Sequence, residues 1–316
     1  MPDMYLKAFS VCVVGAGALG CAVLEKLAGA GIGRVRVVDG DIVTPKNLKN
    51  QPLYGESDTK NPTFKALAAV KALRSAHKGT EFVASAFYIG SKRAGKALFG
   101  YDMVIDATDN RESRLIINET CLNNRVPLMI ASINGKKGLF YIINGKSACF
   151  GCIAANARKP VNEECVNISR KDAERLAEMM VTGMLRFFES PSQLQQFTSV
   201  NLATNATESQ QLLKYAGCQT CGPRRRRRSR DGAVVQLCGD GIKASIQRRI
   251  SLNKLSAGIP GFVRDGKADF ALLRKDGKSV LVSFEGDVLF TGYGEDEACA
   301  LLNKIRRAVH AASRTS

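Results

Sequence analysis

Over the first two thirds of the chain, apolar and β-branched runs alternate with stretches whose apolar positions recur at helical spacing. SVCVVGAG (10–17), RVRVVDGD (34–41) and YDMVIDATDN (101–110) predict strands. ALGCAVLEKLAGAG (18–31), FKALAAVKALRSA (64–76) and RESRLIINETCLNN (111–124) predict the helices between and after them, and VPLMIAS (126–132) predicts one more strand. Such alternation implies a doubly wound, mainly parallel Rossmann-like α/β sheet. GKKGLFYIINGKSACFGC (135–152) then predicts an added antiparallel edge ending at a cysteine pair, and a helical period resumes over 169–188.

Past Cys221 the pattern changes. A basic linker, RRRRRSR (224–230), separates a first domain (1–223) from a small C-terminal α+β domain (231–316). There DFALLRKDGKSVLVSFEGDVLFTG (269–292) predicts three strands with an Asp-Gly turn, and EDEACALLNKIRRAVHAA (295–312) a closing helix. A chain of 316 residues that is 45% apolar suffices for one sizeable core and a second small one. The uncharged run 8–24 is interrupted by Gly15, Gly17 and Gly20, and no cleavage site succeeds it. A secretory leader or membrane span is therefore not expected, and the cytoplasm is. Four of the ten cysteines form two C-x-x-C pairs, which in a reducing compartment favours metal over cystine. A net charge of +17 calls for an anionic partner or tail, without choosing among nucleic acid, nucleotide and acidic protein.

GAGALG (15–20) lies between a predicted strand and helix, where bare N–H groups and a helix N-terminus hold phosphate. Asp39, at the end of the next strand, stands where a ribose hydroxyl binds. Those two features alone fit an NAD-dependent oxidoreductase. Hydride transfer, however, needs no divalent cation and no cluster of groups around a triphosphate, whereas this chain offers Asp41, Asn47, Lys49 and Lys65, then Asp106 and Asp109 in DATDN. Carboxylates at strand ends of an open α/β sheet point into the binding crevice. Asp109 suits Mg²⁺, and the lysines and asparagines suit the phosphates of ATP. The alternative is that Asp109 and Asn110 cap the next helix and that Lys65 is a solvated first-turn lysine.

GAGALG, DGDIVTPKNLKNQ, a lysine opening the next helix, DATDN with Arg114 after it, and two C-x-x-C pairs, in this order, resemble the ubiquitin-activating superfamily. That superfamily includes the adenylyltransferases that activate sulfur-carrier proteins for molybdopterin and thiamine synthesis. The resemblance runs from about residue 10 to Cys221. It implies adenylation of the C-terminal glycine of a ubiquitin-like or sulfur-carrier protein with ATP and Mg²⁺. It also implies a homodimer, and a conjugating enzyme or sulfurtransferase as a further partner. On this likeness Gly15, Gly17 and Gly20 lie against the nucleotide and Asp39 binds ribose. Asn47 and Lys49 reach the phosphates, Lys65 neutralises charge at the α-phosphate, Asp109 binds Mg²⁺, and Asn110 and Arg114 complete the site. The sequence departs from the family at Asn50, where an arginine is usual, and no arginine precedes the first strand.

Cys149, Cys152, Cys218 and Cys221 make a tetrathiolate set suited to structural zinc, since four thiolates leave no open coordination position. With 65 residues between the pairs, folding must bring them together. Cys165 lies 13 residues past Cys152, in an expected crossover loop (about 153–170). Thioester-forming members of the superfamily carry a nucleophilic cysteine at about this distance, so the resemblance implies acyl transfer to Cys165. Arg224 to Arg228 have no aromatic platform among them, which makes nucleic acid a poor partner.

Overall fold

The computed structural model describes residues 5–60, 63–156, 168–190, 196–223, 235–236, 241–246, 250–253, 255, 259–263, 270–284 and 286–311. The chain divides into two compact units, Met1–Arg228 and Ser229–Ser316.

The first unit is built on β1 (Ser10–Val14), α1 (Ala18–Ala30), β2 (Arg34–Val38), α2 (Glu56–Lys60), α3 (Lys65–Ala76), β3 (Glu81–Ser85), α4 (Ser91–Leu98), β4 (Met103–Asp106), α5 (Arg111–Asn124) and β5 (Leu128–Asn134). β6 (Lys137–Ile143), α6 (Phe150–Asn156), α7 (Arg170–Glu189), β7 (Gln196–Asn201) and β8 (Thr207–Gln211) complete it. The eight strands run in the order β3-β2-β1-β4-β5-β6-β7-β8. Pairings from β3 through β5 are parallel and those from β5 to β8 antiparallel. Strand periodicity divides the core. Val11, Val13, Val35 and Val37 face α1, α3 and α7, while Cys12, Val14 and Val38 face α4 and α5.

The strand order reverses across β1, so the carboxyl ends of β1, β2 and β4 open onto one crevice. Gly15 closes β1 at φ +95, a conformation that favours glycine, and a Cβ there would meet Ala107 O at 2.7 Å. At Gly20 a Cβ would lie 2.0 Å from Gly15 O, so only glycine lets α1 begin this close to β1.

Two expectations change. β6 is not a sheet edge, because β7 and then β8 continue the sheet beyond it. QFTSVN and TESQQ carry little apolar alternation; β7 buries Val200, whereas β8 is exposed along its whole length, so backbone pairing rather than burial makes β8 a strand. The second is β3 with α4, which the apolar pattern does not predict: β3 extends the parallel sheet at its other side and α4 packs against Cys12 and Val14.

The second unit has a six-stranded antiparallel sheet in the order β11-β12-β13-β14-β10-β9. Its strands are β9 (Val235–Gln236), β10 (Gly241–Ser245), β11 (Phe262–Val263), β12 (Phe270–Lys275), β13 (Lys278–Ser283) and β14 (Asp287–Thr291). Helix α8 (Glu295–Ala311) contributes Ala298, Leu302, Ile305 and Val309 to the same core as Val280, Val282, Val288 and Phe290. The expected Asp-Gly turn joins β12 to β13, with φ of 50° at Asp276 and 75° at Gly277, positive at both central positions as a two-residue hairpin prefers. Among the described residues no helix is long and apolar enough to cross a membrane.

Candidate functional site

The crevice is lined first by backbone. Asp39, at the end of β2, accepts the Ala16 N–H on Oδ2 at 2.6 Å and the Asp41 N–H on Oδ1 at 2.8 Å, which ties the glycine turn to the next loop. Tyr54 donates its hydroxyl to Ala16 O at 2.6 Å and fixes the turn from the other side. Gly17 faces open space, with nothing within 4 Å of where a Cβ would sit. Burial and the neighbouring Asp41 carboxylate push Asp39 up to about 6.

Asp41 is the centre of the charged cluster. Its Oδ2 accepts Lys65 Nζ at 3.0 Å and its Oδ1 accepts the Tyr88 hydroxyl at 2.6 Å. The backbone joins in, Lys65 N donating to Asp41 O at 2.8 Å. Lys65 is 9% exposed at the first position of α3, so it is not a solvated first-turn lysine. Burial by itself would lower its pKa, but the Asp41 and Asp39 carboxylates outweigh that and hold it above the ordinary lysine value. Asn47 turns its carbonyl back onto Thr44 N and Oγ1, at 2.8 and 3.0 Å, and closes a capping box; Lys46 and Lys49 lie on the same short turn.

At the end of β4, Asp106 is fully buried and accepts Thr108 N and Oγ1 on one oxygen. Burial raises its pKa, and Arg114 partly offsets the rise. Asp109 is exposed beside it. Asn110 Oδ1 accepts Ser113 N at 2.9 Å, so this asparagine does cap α5. Arg114 is buried, and its guanidinium donates to Thr108 O and Ala131 O, bracing the loop that carries Asp109.

On the α4 and α5 side, Cys149, Cys152, Cys218 and Cys221 converge with all four sulfurs within 4.8 Å of one another. The separations are 3.9 Å for Cys149–Cys152, 3.7 Å for Cys149–Cys218 and 3.4 Å for Cys152–Cys221. Tetrahedral zinc with bonds of about 2.3 Å would place sulfurs about 3.8 Å apart. Tyr215 N and Thr220 N donate to Cys152 and Cys218, each at 3.4 Å. Gly151 and Gly222 permit the crowding, since a Cβ would lie 2.5 Å from Thr220 Oγ1 at the first and 2.4 Å from Cys218 O at the second.

Against known proteins, the ThiF family model matches residues 4–222. The chain belongs to the ThiF family. Among relatives of this ThiF-family chain is the sulfur carrier protein ThiS adenylyltransferase of Bacillus subtilis, 29% identical over 263 residues, which are 79% of this chain and 78% of the relative. The sulfur carrier protein adenylyltransferase of Thermus thermophilus is 37% identical over 154 residues, 47% of this chain and 56% of the relative. The crystal structure of E. coli MccB with ATP matches with a TM-score of 0.57 and 20% identity over 69% of this chain and 67% of that one, a likeness of fold.

Within the ThiF-family unit the structure thus brings Gly15, Gly17, Gly20, Asp39, Asp41 and Lys65 to one crevice, and the four cysteines to one cluster. Cys165 and Arg224 to Arg228 lie outside the described residues. Sequence reasoning missed Tyr54, Tyr88 and the pairing of Asp41 with Lys65. A tyrosine 47 positions from its acceptor carries no local signal.

Proposed function

We propose that this chain is an ATP-dependent adenylyltransferase that activates the C-terminal glycine of a sulfur-carrier protein. The observation that carries this reading is a buried ammonium, Lys65, held by Asp41 in the same crevice as the glycine turn and Asp39. The names of the Bacillus and Thermus relatives support it.

ATP enters with its phosphates against the open side of Gly17 and its ribose hydroxyl on Asp39. Asn47, with Lys46 and Lys49 in place of the charge missing at Asn50, meets the outer phosphates. The terminal carboxylate of the carrier attacks the α-phosphorus, the bond to the bridging oxygen breaks, and acyl-adenylate and pyrophosphate form. Lys65, kept protonated by Asp41, stabilises the negative charge that develops at the α-phosphate. Asp109, an exposed hard oxygen donor at a strand end, fits Mg²⁺, which when bound neutralises triphosphate charge. Arg114 acts by bracing the Thr108 carbonyl.

The four cysteines fit Zn²⁺ in donor type and spacing, and the metal would stitch residues 149–152 to 218–221 rather than take part in chemistry. Cys165 receives the acyl group in a second step: its thiolate attacks the acyl carbon, AMP leaves, and a thioester forms. Cys165→Ala should keep adenylation and lose any thiol-sensitive carrier adduct on denaturing gels, and an undiminished adduct would place the nucleophile elsewhere.

Mass spectrometry tests the main reading. A small ubiquitin-fold protein ending in Gly-Gly, incubated with ATP, Mg²⁺ and this chain, should gain an adenylate. Nicotinamide dinucleotide binding with no ATP binding would overturn it.

A further inference from the structure

Asp41 sits between two donors. Lys65 Nζ donates to its Oδ2 at 3.0 Å and the Tyr88 hydroxyl to its Oδ1 at 2.6 Å. The main chain fixes where Asp41 and Lys65 start, since Lys65 N donates to Asp41 O at 2.8 Å. It leaves the last side-chain torsion of Asp41 unset, and in aspartate that torsion is broad rather than confined to sharp wells. Where the carboxylate plane lies decides where an ammonium on its other oxygen lies. A charge-assisted hydrogen bond to Oδ1 therefore aims Lys65 through Asp41.

Tyr88 is itself held in place. Ser85 O accepts Asp39 N at 3.1 Å and Phe87 N at 3.0 Å, which docks the loop after β3 on the end of β2. A Cβ at Gly40 would lie 2.8 Å from Tyr88 Cγ and 2.7 Å from Tyr88 N. Gly40 is not among the glycines of positive φ, so this position needs glycine for room rather than for conformation. Only the missing side chain lets the phenol ring come this close to the backbone between Asp39 and Asp41.

We propose that Tyr88 is a positioning residue for carrier adenylation, its hydroxyl setting the Asp41 carboxylate and through it the Lys65 ammonium at the α-phosphate of ATP. The inference rests on the adenylation reading of the crevice and assigns Tyr88 no contact with the nucleotide. With Oδ1 held, one ammonium N–H stays on Asp41 and the others face phosphate oxygen. A lysine whose partner turned freely would keep rotamer freedom that the reaction must then remove.

Tyr88→Phe takes away one oxygen and keeps the ring against Gly40, so the melting temperature should stay near wild type. In carrier-dependent pyrophosphate exchange, kcat should fall on the order of tenfold, the worth of one hydrogen bond to a charged group, while KM for ATP moves by less than about twofold. In an Asp41→Ala background the same substitution should cost nothing further, because the group it acts through is gone. A readout independent of turnover is the Lys65 ammonium in the whole chain labelled with nitrogen-15 at lysine, and it serves even where Asp41→Ala folds poorly. Its signal, identified by its loss in Lys65→Ala, should be protected from solvent exchange in the wild type and should exchange faster in Tyr88→Phe. Wild-type kcat in Tyr88→Phe, an ammonium signal unchanged by it, or an equal loss with and without Asp41 would each overturn the inference. A protected, Tyr88-dependent ammonium in a wild-type chain that binds ATP without exchange would instead overturn the adenylation reading and leave the hold of Tyr88 on Lys65 standing.

Discussion

In the crevice the Lys65 ammonium meets Asp41 at 3.0 Å and Asp41 meets Tyr88 at 2.6 Å, whereas in the cluster four sulfurs crowd within 4.8 Å of one another with no cationic side chain hydrogen-bonded to them among the described residues. In the crevice Lys65 is paired with Asp41 before any ligand arrives. The sulfurs repel as soon as they ionise, and only a cation resolves that. The difference separates two kinds of dependence. Crevice residues should govern chemistry more than folding, and cluster residues folding more than chemistry.

Substitutions in the crevice press on the first half of that contrast. Asp109→Ala should abolish carrier-dependent pyrophosphate exchange into ATP while leaving the melting temperature near wild type, because the side chain is exposed; exchange at the wild-type rate would remove Asp109 from the metal site. Lys65→Ala should slow exchange by on the order of a hundredfold, the typical cost of one preorganised charge stabiliser.

Asp41→Asn is where the contrast should blur. It leaves Lys65 buried beside a neutral amide, so both exchange and stability should fall, the latter by less than the about 3–5 kcal/mol of a fully buried pair because Asp41 keeps 32% of its side chain exposed. Thermal melts and exchange assays on one preparation would show whether the two losses occur together.

Cluster substitutions press on the other half. Cys221→Ser or chelation should lower the melting temperature by several degrees, with exchange at low temperature close to wild type. A crevice that loses exchange before the protein loses structure would contradict the division of labour.

A further effect is a pH dependence. The folded-state pKa of Asp39, about 6, lies above its ordinary value, so its contribution to stability is full at low pH and is lost as pH rises through about 6. Asp39→Asn removes that titration. Chemical denaturation of both proteins should show the wild type losing ground to the variant between about pH 4 and pH 6 and a constant difference above. A difference that stays flat across that window would place the Asp39 pKa at its ordinary value.

How far the sequence reaches differs between the same two regions. β1, α1, β2 and α5 were legible because continuous apolar runs and helical spacing coincide with buried faces, and RESRLIINETCLNN matches α5 from end to end. The cysteine cluster was legible because spacing and chemistry both speak locally, even with 65 residues between the pairs. The crevice was legible only in its parts. Asp41 and Lys65 stood out singly, but nothing near either announced the pair, and Tyr54 and Tyr88 reach their acceptors across 38 and 47 positions. Arg114 carries a role that its position did not announce: its guanidinium donates to two backbone carbonyls. β8 escaped because a strand that pairs through backbone without burial leaves no period to read, and β7 because its buried Val200 and packed Phe197 are three positions apart rather than two.

The most direct test of the adenylation reading is exchange of labelled pyrophosphate into ATP by the wild-type chain, with Mg²⁺ and a ubiquitin-fold carrier ending in Gly-Gly. Label should enter ATP only when all of these are present, and deleting the carrier's terminal glycine should stop it. ATP binding with intact carrier but no exchange, or exchange indifferent to the terminal glycine, would contradict the assignment of this crevice to carrier adenylation.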